Sequence, residues 1–177
     1  IERAGYEVAA EIPFLAADDS DSGMAEGIGQ ATIGFAQALQ TLRPDILLLI
    51  ADRFEMIAPA SAALAMRIPI AHIEGGEISE GAIDQQVRDA LTKMSHLHYV
   101  PTHDAKARVI AMGEEPWRVL VTGAPSLDHL VIDTLPCRSE VESAIGMSLE
   151  PKPIVVAFHP TTIHRDTTDE ASVFFDA

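Results

Sequence analysis

The fold is decided by the run Asp45-Ile-Leu-Leu-Leu-Ile-Ala51, which is apolar after its first residue. It follows Arg43-Pro44, a pair that ends a helix, and precedes the polar Asp52. An uninterrupted apolar run of this length predicts a strand buried on both faces of a parallel sheet. A second such run lies at 69–73, and the residues between them predict a helix over 54–66. Strand, helix and strand in this order form the unit of a parallel sheet.

The same alternation continues on both sides of this unit. Upstream, residues 6–14 predict a strand, and apolar residues at helical spacing predict a helix over 24–42. Downstream, the pattern predicts a helix over 84–95, a strand over 97–100, a helix over 105–112 capped by Thr102, and a strand over 118–122. The repeated alternation predicts an α/β fold with a doubly wound parallel sheet.

The pattern changes near residue 150, where prolines stand at positions 136, 151 and 153. Beyond them, residues 154–158 form another apolar run, which predicts the first strand of a second domain. We therefore expect one domain over 1–150 and the truncated start of another over 151–177. Because the chain begins at Ile1 without an initiator methionine, we also expect it to be an internal segment of a longer protein.

Composition excludes several classes of function. The net charge is −15 and no block of Lys or Arg is present, which argues against a nucleic-acid groove or an anionic membrane surface. The apolar runs are too short to cross a bilayer, so a cytoplasmic protein is expected. The single cysteine, Cys137, excludes an internal disulfide framework and a Cys-rich metal site.

Polar clusters follow the predicted strands at 52–55, 74–77, 123–126 and 159–162. In open α/β sheets, ligands bind outside the carboxyl ends of the strands. The coincidence of these clusters with the strand ends therefore predicts a binding or catalytic site at this edge of the sheet.

Several of these residues also have a purely structural explanation. Asp52 and Glu55 have the spacing of a helix cap, and Arg53 is typical of a solvated surface charge. Asp84 and Arg88 have the spacing of an ion pair on one helix face. From spacing alone, both interpretations of Asp52 and Asp84 stay open.

Glu74 is a stronger candidate for a functional role. It follows a buried strand and precedes Gly75 and Gly76, which allow the backbone to approach a ligand closely. Spacing alone leaves a functional and a structural role for Glu74 equally open.

The histidines are harder to assign. His72 lies in a buried strand and is explained as a hydrogen-bonded core residue. His96 and His98 have strand spacing, but no third ligand accompanies them, so no metal site is predicted. His159 or His164, after the last predicted strand, could act as a general acid or base. Gly-x-Gly-x-x-Gly, Walker and Gly-x-Ser-x-Gly motifs are absent from the sequence, and no cofactor is expected.

A series of motifs in one order resembles the UDP-N-acetylglucosamine 2-epimerase family, in particular the hydrolysing branch that feeds sialic acid biosynthesis. The motifs are Ala51-Asp-Arg-Phe-Glu-Met56, Ile68-Pro-Ile-Ala-His-Ile-Glu-Gly-Gly-Glu77, Glu80-Gly-Ala-Ile-Asp84, Leu91-Thr-Lys-Met-Ser-His-Leu-His98, Val121-Thr-Gly-Ala-Pro-Ser-Leu-Asp128 and Ala157-Phe-His-Pro160. The resemblance covers most of the chain.

The resemblance implies a glycosyltransferase-B-type fold, in which a UDP-sugar lies between two Rossmann-like domains. Residues 1–150 would then be most of the first domain without its first strand, and residues 151–177 the start of the second. A homo-oligomer is expected, with no nucleic-acid or membrane partner. Since the missing parts would supply much of the UDP binding, we expect the segment alone to be inactive.

The reaction implied by the resemblance is anti elimination of UDP to a 2-acetamidoglucal, followed by addition of water to give N-acetylmannosamine. By motif position, Asp52, Glu74 and Asp84 match the catalytic carboxylates, and His159 matches a histidine near the nucleotide. The group that takes the C2 proton stays open. The residues expected to bind substrate are Arg53, Gly75, Gly76, Gly123 and Ser126.

Other functions remain open at this point. The sugar could be a 2,4-diacetamido-trideoxyhexose in place of N-acetylglucosamine, and the segment could be a non-catalytic nucleotide-sugar-binding module. A non-hydrolysing epimerase is less favoured, because Glu74-Gly75-Gly76-Glu77 differs from the Glu-Ala-Gly-Leu-Arg pattern usual in that branch.

Overall fold

The computed structural model describes residues 2–14, 20–50, 52–132, 135–158, 172–173 and 175. A four-stranded parallel sheet, with strand order β1-β2-β3-β4, forms the centre of this part of the chain. Its strands are β1 (Leu47–Ile50), β2 (Ile70–Ile73), β3 (Leu97–Val100) and β4 (Val119–Val121). The helices of the same region are α1 (Asp21–Leu42), α2 (Ile57–Ala65), α3 (Asp84–Met94) and α4 (His103–Ala111).

One row of paired residues shows which face of the sheet the helices cover. Leu49 of β1 pairs with His72, His72 with His98, and His98 with Val119. All four of these residues are buried. They face the core formed by the apolar sides of α1 to α4. Right-handed crossovers between sequential parallel strands place all connecting helices on one face, as observed here.

The opposite face of β1 differs from the prediction. Leu48 is 59% exposed and Ile50 is 48% exposed, so the expectation that this strand is buried on both faces is wrong for the described residues. The reason is that α1 to α4 pack on the other face. The described helices therefore form one half of a doubly wound arrangement.

Local signals explain where the long helices begin and end. The Ser20 hydroxyl accepts a hydrogen bond from the Gly23 amide at the start of α1. At its end, Arg43 is left-handed with φ 47°, and Pro44 follows. Thr102 caps α4 by accepting a hydrogen bond from the Ala105 amide over 3.0 Å, which confirms the predicted cap.

Two predicted strands are wrong. Residues 6–14 form no strand; instead, Ile12 and Phe14 approach α1 at Gly34 and Gly27. Residues 154–158 form no strand either, and Ile154 and Val155 are each 89% exposed. A strand needs a ladder partner, and neither segment has one among the described residues.

The chain divides into two compact units, residues 1–123 and 124–177. The second contains a 3-10 turn (Pro125–Leu127), α5 (His129–Ile132) and α6 (Arg138–Ile145). At the start of α6, the Cys137 amide donates to the Glu140 carboxylate over 2.7 Å. The domain boundary near residue 150 stays a prediction. In the described ranges, every helix is too short or too polar to cross a membrane.

Candidate active site

The three predicted carboxylates lie at the end of the sheet where the strands have their carboxyl ends. Ile50 pairs with Ile73 at the carboxyl ends of β1 and β2, so Asp52 and Glu74 follow neighbouring strands that are about 4.8 Å apart. Asp84 is the first residue of α3, which runs back from this end to the start of β3. The topology therefore places Asp52, Glu74 and Asp84 on the side of the sheet where ligands bind.

Asp52 is held by two side chains from other elements. Arg88 Nη2 donates to Asp52 Oδ2, and the Ser79 hydroxyl donates to the same oxygen over 3.3 Å. Arg88 Nη1 also donates to the Ser79 hydroxyl over 2.9 Å. Asp52, Ser79 and Arg88 thus form a closed hydrogen-bonded triangle.

This triangle corrects both structural interpretations from the sequence. Asp52 is not a helix cap, because the 3-10 turn that follows it has Arg53 at its N-cap and no side-chain capping bond. Arg88 does not pair with Asp84 on the surface of α3 but with Asp52, 36 positions away. The physical reason is that Arg88 lies on the buried side of α3, where it is only 9% exposed.

Glu74 has an unusual backbone conformation. Its φ is +65°, in the left-handed region that non-glycine residues enter at a cost. Its amide donates to the Tyr99 carbonyl over 2.9 Å, which ties the end of β2 to β3. Among the described residues, no hydrogen bond to its half-buried carboxylate is present. The strained turn therefore presents a carboxylate at the carboxyl edge of the sheet.

Gly75 and Gly76 are buried, and packing explains why both are glycine. A Cβ on Gly75 would lie 3.0 Å from His72 Nδ1. A Cβ on Gly76 would lie 2.5 Å from the Ala105 carbonyl oxygen of α4. Arg108 Nε, also from α4, donates to the Gly76 carbonyl. These contacts hold the turn after Glu74 against α4, and substrate contact by the two glycines stays a prediction.

The remaining predicted site residues lie in different parts of the structure. The side chain of Arg53 is 66% exposed and donates to Glu55 over 2.7 Å. Gly123 follows β4 with φ +84°. Ser126 is exposed in the second unit. His159 lies outside the described residues.

The histidines in and next to β2 and β3 each contact a different protein group. His72 is buried, with Nδ1 3.4 Å from the Thr92 hydroxyl, which confirms the core interpretation. His96 Nδ1 accepts from the Ile70 amide over 3.1 Å, whereas His98 Nε2 lies 3.3 Å from Glu114 Oε2. Within the ranges that the structure describes, no group of three or more His, Cys, Asp or Glu could hold a metal.

Glu114 also binds Lys93, so that His98, Glu114 and Lys93 form a cluster near the start of β3, in which His98 and Glu114 are buried and Lys93 is half-exposed. Burial lowers the pKa of the His98 imidazole, although Glu114 acts in the opposite direction. For Glu114, burial raises the pKa, but the hydrogen bond from Lys93 and the positive charge of Lys93 bring it below its ordinary value. The cluster therefore favours an ionised Glu114 and a neutral His98 near neutral pH.

The sequence pattern assigned Arg88 to a surface ion pair and did not single out Ser79. One signal could have identified Arg88, because it falls within the buried stripe that contains Val87 and Leu91. A charged side chain in such a stripe needs a buried counter-charge. The partner, Asp52, follows β1, so the sequence of the helix could not predict it.

Comparisons with known proteins identify the family to which the chain belongs. The family model described as UDP-N-acetylglucosamine 2-epimerase matches residues 2–175. The GDP/UDP-N,N'-diacetylbacillosamine 2-epimerase (hydrolyzing) of Campylobacter jejuni is 34% identical over 93% of this chain and 43% of that protein. The UDP-N,N'-diacetylbacillosamine 2-epimerase (hydrolyzing) of Legionella pneumophila is 35% identical, over 94% and 44% respectively. A UDP-N-acetylglucosamine 2-epimerase of Neisseria meningitidis serogroup B is 38% identical over 74% and 34%.

Solved structures show the same fold. The Neisseria meningitidis UDP-GlcNAc 2-epimerase bound to UDP-GlcNAc superposes with a TM-score of 0.60 and 24% identity, over 74% of this chain and 37% of that one. These likenesses confirm the predicted class, an α/β Rossmann-like domain of a glycosyltransferase-B-type fold. The chain spans less than half the length of the relatives it matches. It belongs to the UDP-N-acetylglucosamine 2-epimerase family.

Proposed function

We propose that the protein containing this chain is a hydrolysing UDP-sugar 2-epimerase, with Asp52, Glu74 and Asp84 in its active site. The observation that carries the proposal is the left-handed Glu74, with φ +65°, at the carboxyl end of β2. Strained non-glycine residues cluster at functional sites, where the surrounding structure enforces them. Here the turn is enforced by buried glycines and by α4.

The proposed reaction has two steps. In the first, a base removes the C2 proton, the C1–O bond to the diphosphate breaks, and UDP leaves from a 2-acetamidoglucal. In the second, water adds its hydroxyl to C1 while C2 regains a proton on the opposite face. The products are UDP and the free 2-epimeric sugar.

We assign a separate role to each carboxylate from the contacts that it makes. Asp52 Oδ2 is occupied by Arg88 and Ser79, so we assign Asp52 to stabilising the positive charge that develops near C1. Glu74 accepts no side-chain hydrogen bond from the described residues, and we assign it to proton transfer. Asp84 at the start of α3 is the second proton-transfer candidate. We retain His159 as a candidate contact to the nucleotide.

We propose UDP-N,N'-diacetylbacillosamine as the first candidate substrate and UDP-N-acetylglucosamine as the second. This ranking reverses the one expected from the sequence motifs. The reason is that the two relatives named for the diacetylated sugar match over 93% and 94% of this chain, whereas the Neisseria serogroup B relative matches over 74%. Because the net charge is −15, the diphosphate needs local positive charge, for which the exposed Arg53 is the candidate at this edge.

The test uses the full-length protein with each of the two UDP-sugars in D₂O. The expected products are UDP and a free sugar that carries deuterium at C2, with the higher kcat/KM for the diacetylated substrate. A product that remains attached to UDP, or binding without turnover, would overturn the proposed function.

Glu74→Gln should lower kcat by about a thousandfold, because a positioned acid or base contributes roughly 10²–10⁴ in rate. The substitution removes the charge but little volume, so the far-UV circular dichroism spectrum should not change. Glu80→Gln is the matched control in the same loop, where Glu80 is exposed, and its kcat should stay within twofold of wild type. A Glu74→Gln variant with kcat within fivefold of wild type would remove Glu74 from the mechanism.

A further inference from the structure

Arg88 is the most deeply buried charged side chain near the candidate site. It is 9% exposed and lies on the face of α3 that packs against the sheet, beside Val87 and Leu91. A guanidinium is always charged and is expensive to bury without partners. Its position therefore requires partners that accept hydrogen bonds from it.

Both partners lie beyond the carboxyl ends of the strands. Arg88 Nη2 donates to Asp52 Oδ2, and Nη1 donates to the Ser79 hydroxyl over 2.9 Å. Ser79 in turn donates to Asp52 Oδ2 over 3.3 Å, and its amide donates to Gln85 Oε1 over 2.8 Å. The end of β1, the loop after β2 and the first turn of α3 are joined in one network.

Both donors to Asp52 use the same carboxylate oxygen. Oδ2 is saturated by Arg88 and Ser79. This arrangement restrains the rotation of the carboxylate through Oδ2 and leaves Oδ1 without a hydrogen bond from the described residues. A lysine could supply the charge but not the two parallel donors of the guanidinium.

We propose that Arg88 is a positioning residue, which acts on the reaction by orienting Asp52, and that Ser79 is its second anchor. The proposal rests on the proposed function of Asp52, but it concerns residues that the family resemblance did not single out. The proposal predicts that Arg88 affects kcat more than KM. The reason is that displacing a reacting group by about 1 Å lowers the rate roughly a hundredfold.

The first test is kinetic and uses the full-length protein. Arg88→Ala should lower kcat about a hundredfold with KM within about threefold, and millimolar methylguanidinium should restore at least a tenth of the lost activity. Methylammonium should not restore it. Arg118→Lys is the control, since Arg118 pairs with Glu115 over 3.0 Å near the start of β4, and its kcat should stay within twofold. Equal rescue by both cations, or a loss in kcat below threefold, would overturn the proposal.

A double-mutant cycle keeps the proposal testable if Arg88→Ala does not fold. Arg88→Lys should reduce kcat in the wild-type background but have no further effect in the Asp52→Asn background, because the two residues act as one unit. Additive losses would overturn the positioning role.

A third measurement separates this proposal from the proposed function. A crystal structure of full-length Arg88→Lys should show the Asp52 carboxylate rotated away from its wild-type orientation, whether or not the protein turns over either UDP-sugar. An unchanged Asp52 would overturn the positioning role, whereas an inactive wild type with a rotated Asp52 in the variant would overturn the proposed function and leave the orientation of Asp52 by Arg88 intact.

Discussion

At the scale of single residues, Gly76 and Gly123 have almost the same φ angle and different surroundings. Their φ angles are 82° and 84°. A Cβ on Gly76 would lie 2.5 Å from the Ala105 carbonyl oxygen and 2.9 Å from Val109 Cγ2. A Cβ on Gly123 would have no heavy atom within 4 Å. Substitution at Gly123 therefore tests only the free-energy cost of a non-glycine residue at positive φ. Substitution at Gly76 adds the cost of a steric clash.

We predict that Gly123→Ala lowers the free energy of unfolding by about 1 kcal/mol, which is the cost of a left-handed non-glycine residue. Gly76→Ala should lower it by roughly 3 kcal/mol, because the Cβ must also displace the backbone of α4. Urea unfolding of the two variants and the wild type measures the difference. Equal losses for both variants would show that α4 yields to the added methyl group.

At the scale of secondary-structure elements, α4 supports the turn that follows Glu74. Arg108 of this helix binds the Gly76 carbonyl, and Thr102 at its N-cap accepts from the Ala105 amide over 3.0 Å. The Thr102 hydroxyl also lies 3.5 Å from Glu77 Oε1. The first turn of α4 therefore sets the position of the segment that contains Glu74.

We predict that Thr102→Ala lowers the free energy of unfolding by about 1 kcal/mol, since one amide at the helix start loses its partner. Thr41→Ala in α1 is the matched control, because its exposed hydroxyl bonds, within the described part of the chain, only to the Gln37 carbonyl of the same helix. Its effect should stay within about 0.5 kcal/mol. Urea unfolding provides the measurement, and an effect of Thr102→Ala no larger than that of Thr41→Ala would contradict the capping role.

At the scale of the whole molecule, the His98 cluster joins parts of the sheet unit that are distant in sequence. Lys93 comes from the end of α3, His98 from β3, and Glu114 from the segment before β4. The pKa of His98 is lowered from 6.5, so the unfolded chain binds a proton at a higher pH than the folded one. The resulting stability is complete above pH 6.5 and is lost as the pH falls below it.

We therefore predict that the urea midpoint decreases between pH 7.5 and pH 5.5, and that His98→Gln makes this decrease smaller. The exposed His103 serves as the control for loss of one imidazole. A second decrease should follow below pH 4.5, where Glu114, whose pKa is lowered from 4.5, becomes protonated. An identical change of slope in His103→Gln, or no change in His98→Gln, would contradict the assignment to His98.

Much of this architecture is determined by the sequence alone. The four strands, the helices between them, the Thr102 cap and the end of α1 at Arg43 all follow from signals within a few residues of each other. Hydrophobic periodicity and capping are local, and so they can be predicted without a partner. The placement of Asp52 and Glu74 at strand ends follows from the same order of elements.

Only the tertiary structure decided how these residues are used. It gave Asp52 its partner 36 positions away and placed Glu74 in a left-handed turn. It also left Leu48 and Ile50 exposed, and it gave residues 6–14 no strand partner among the residues that the structure describes. Ion pairs, turn strain and strand pairing depend on which surfaces meet after folding. The physical reason is that spacing along a chain reports contacts within one element, whereas Asp52 and Arg88 meet only when β1 and α3 pack together.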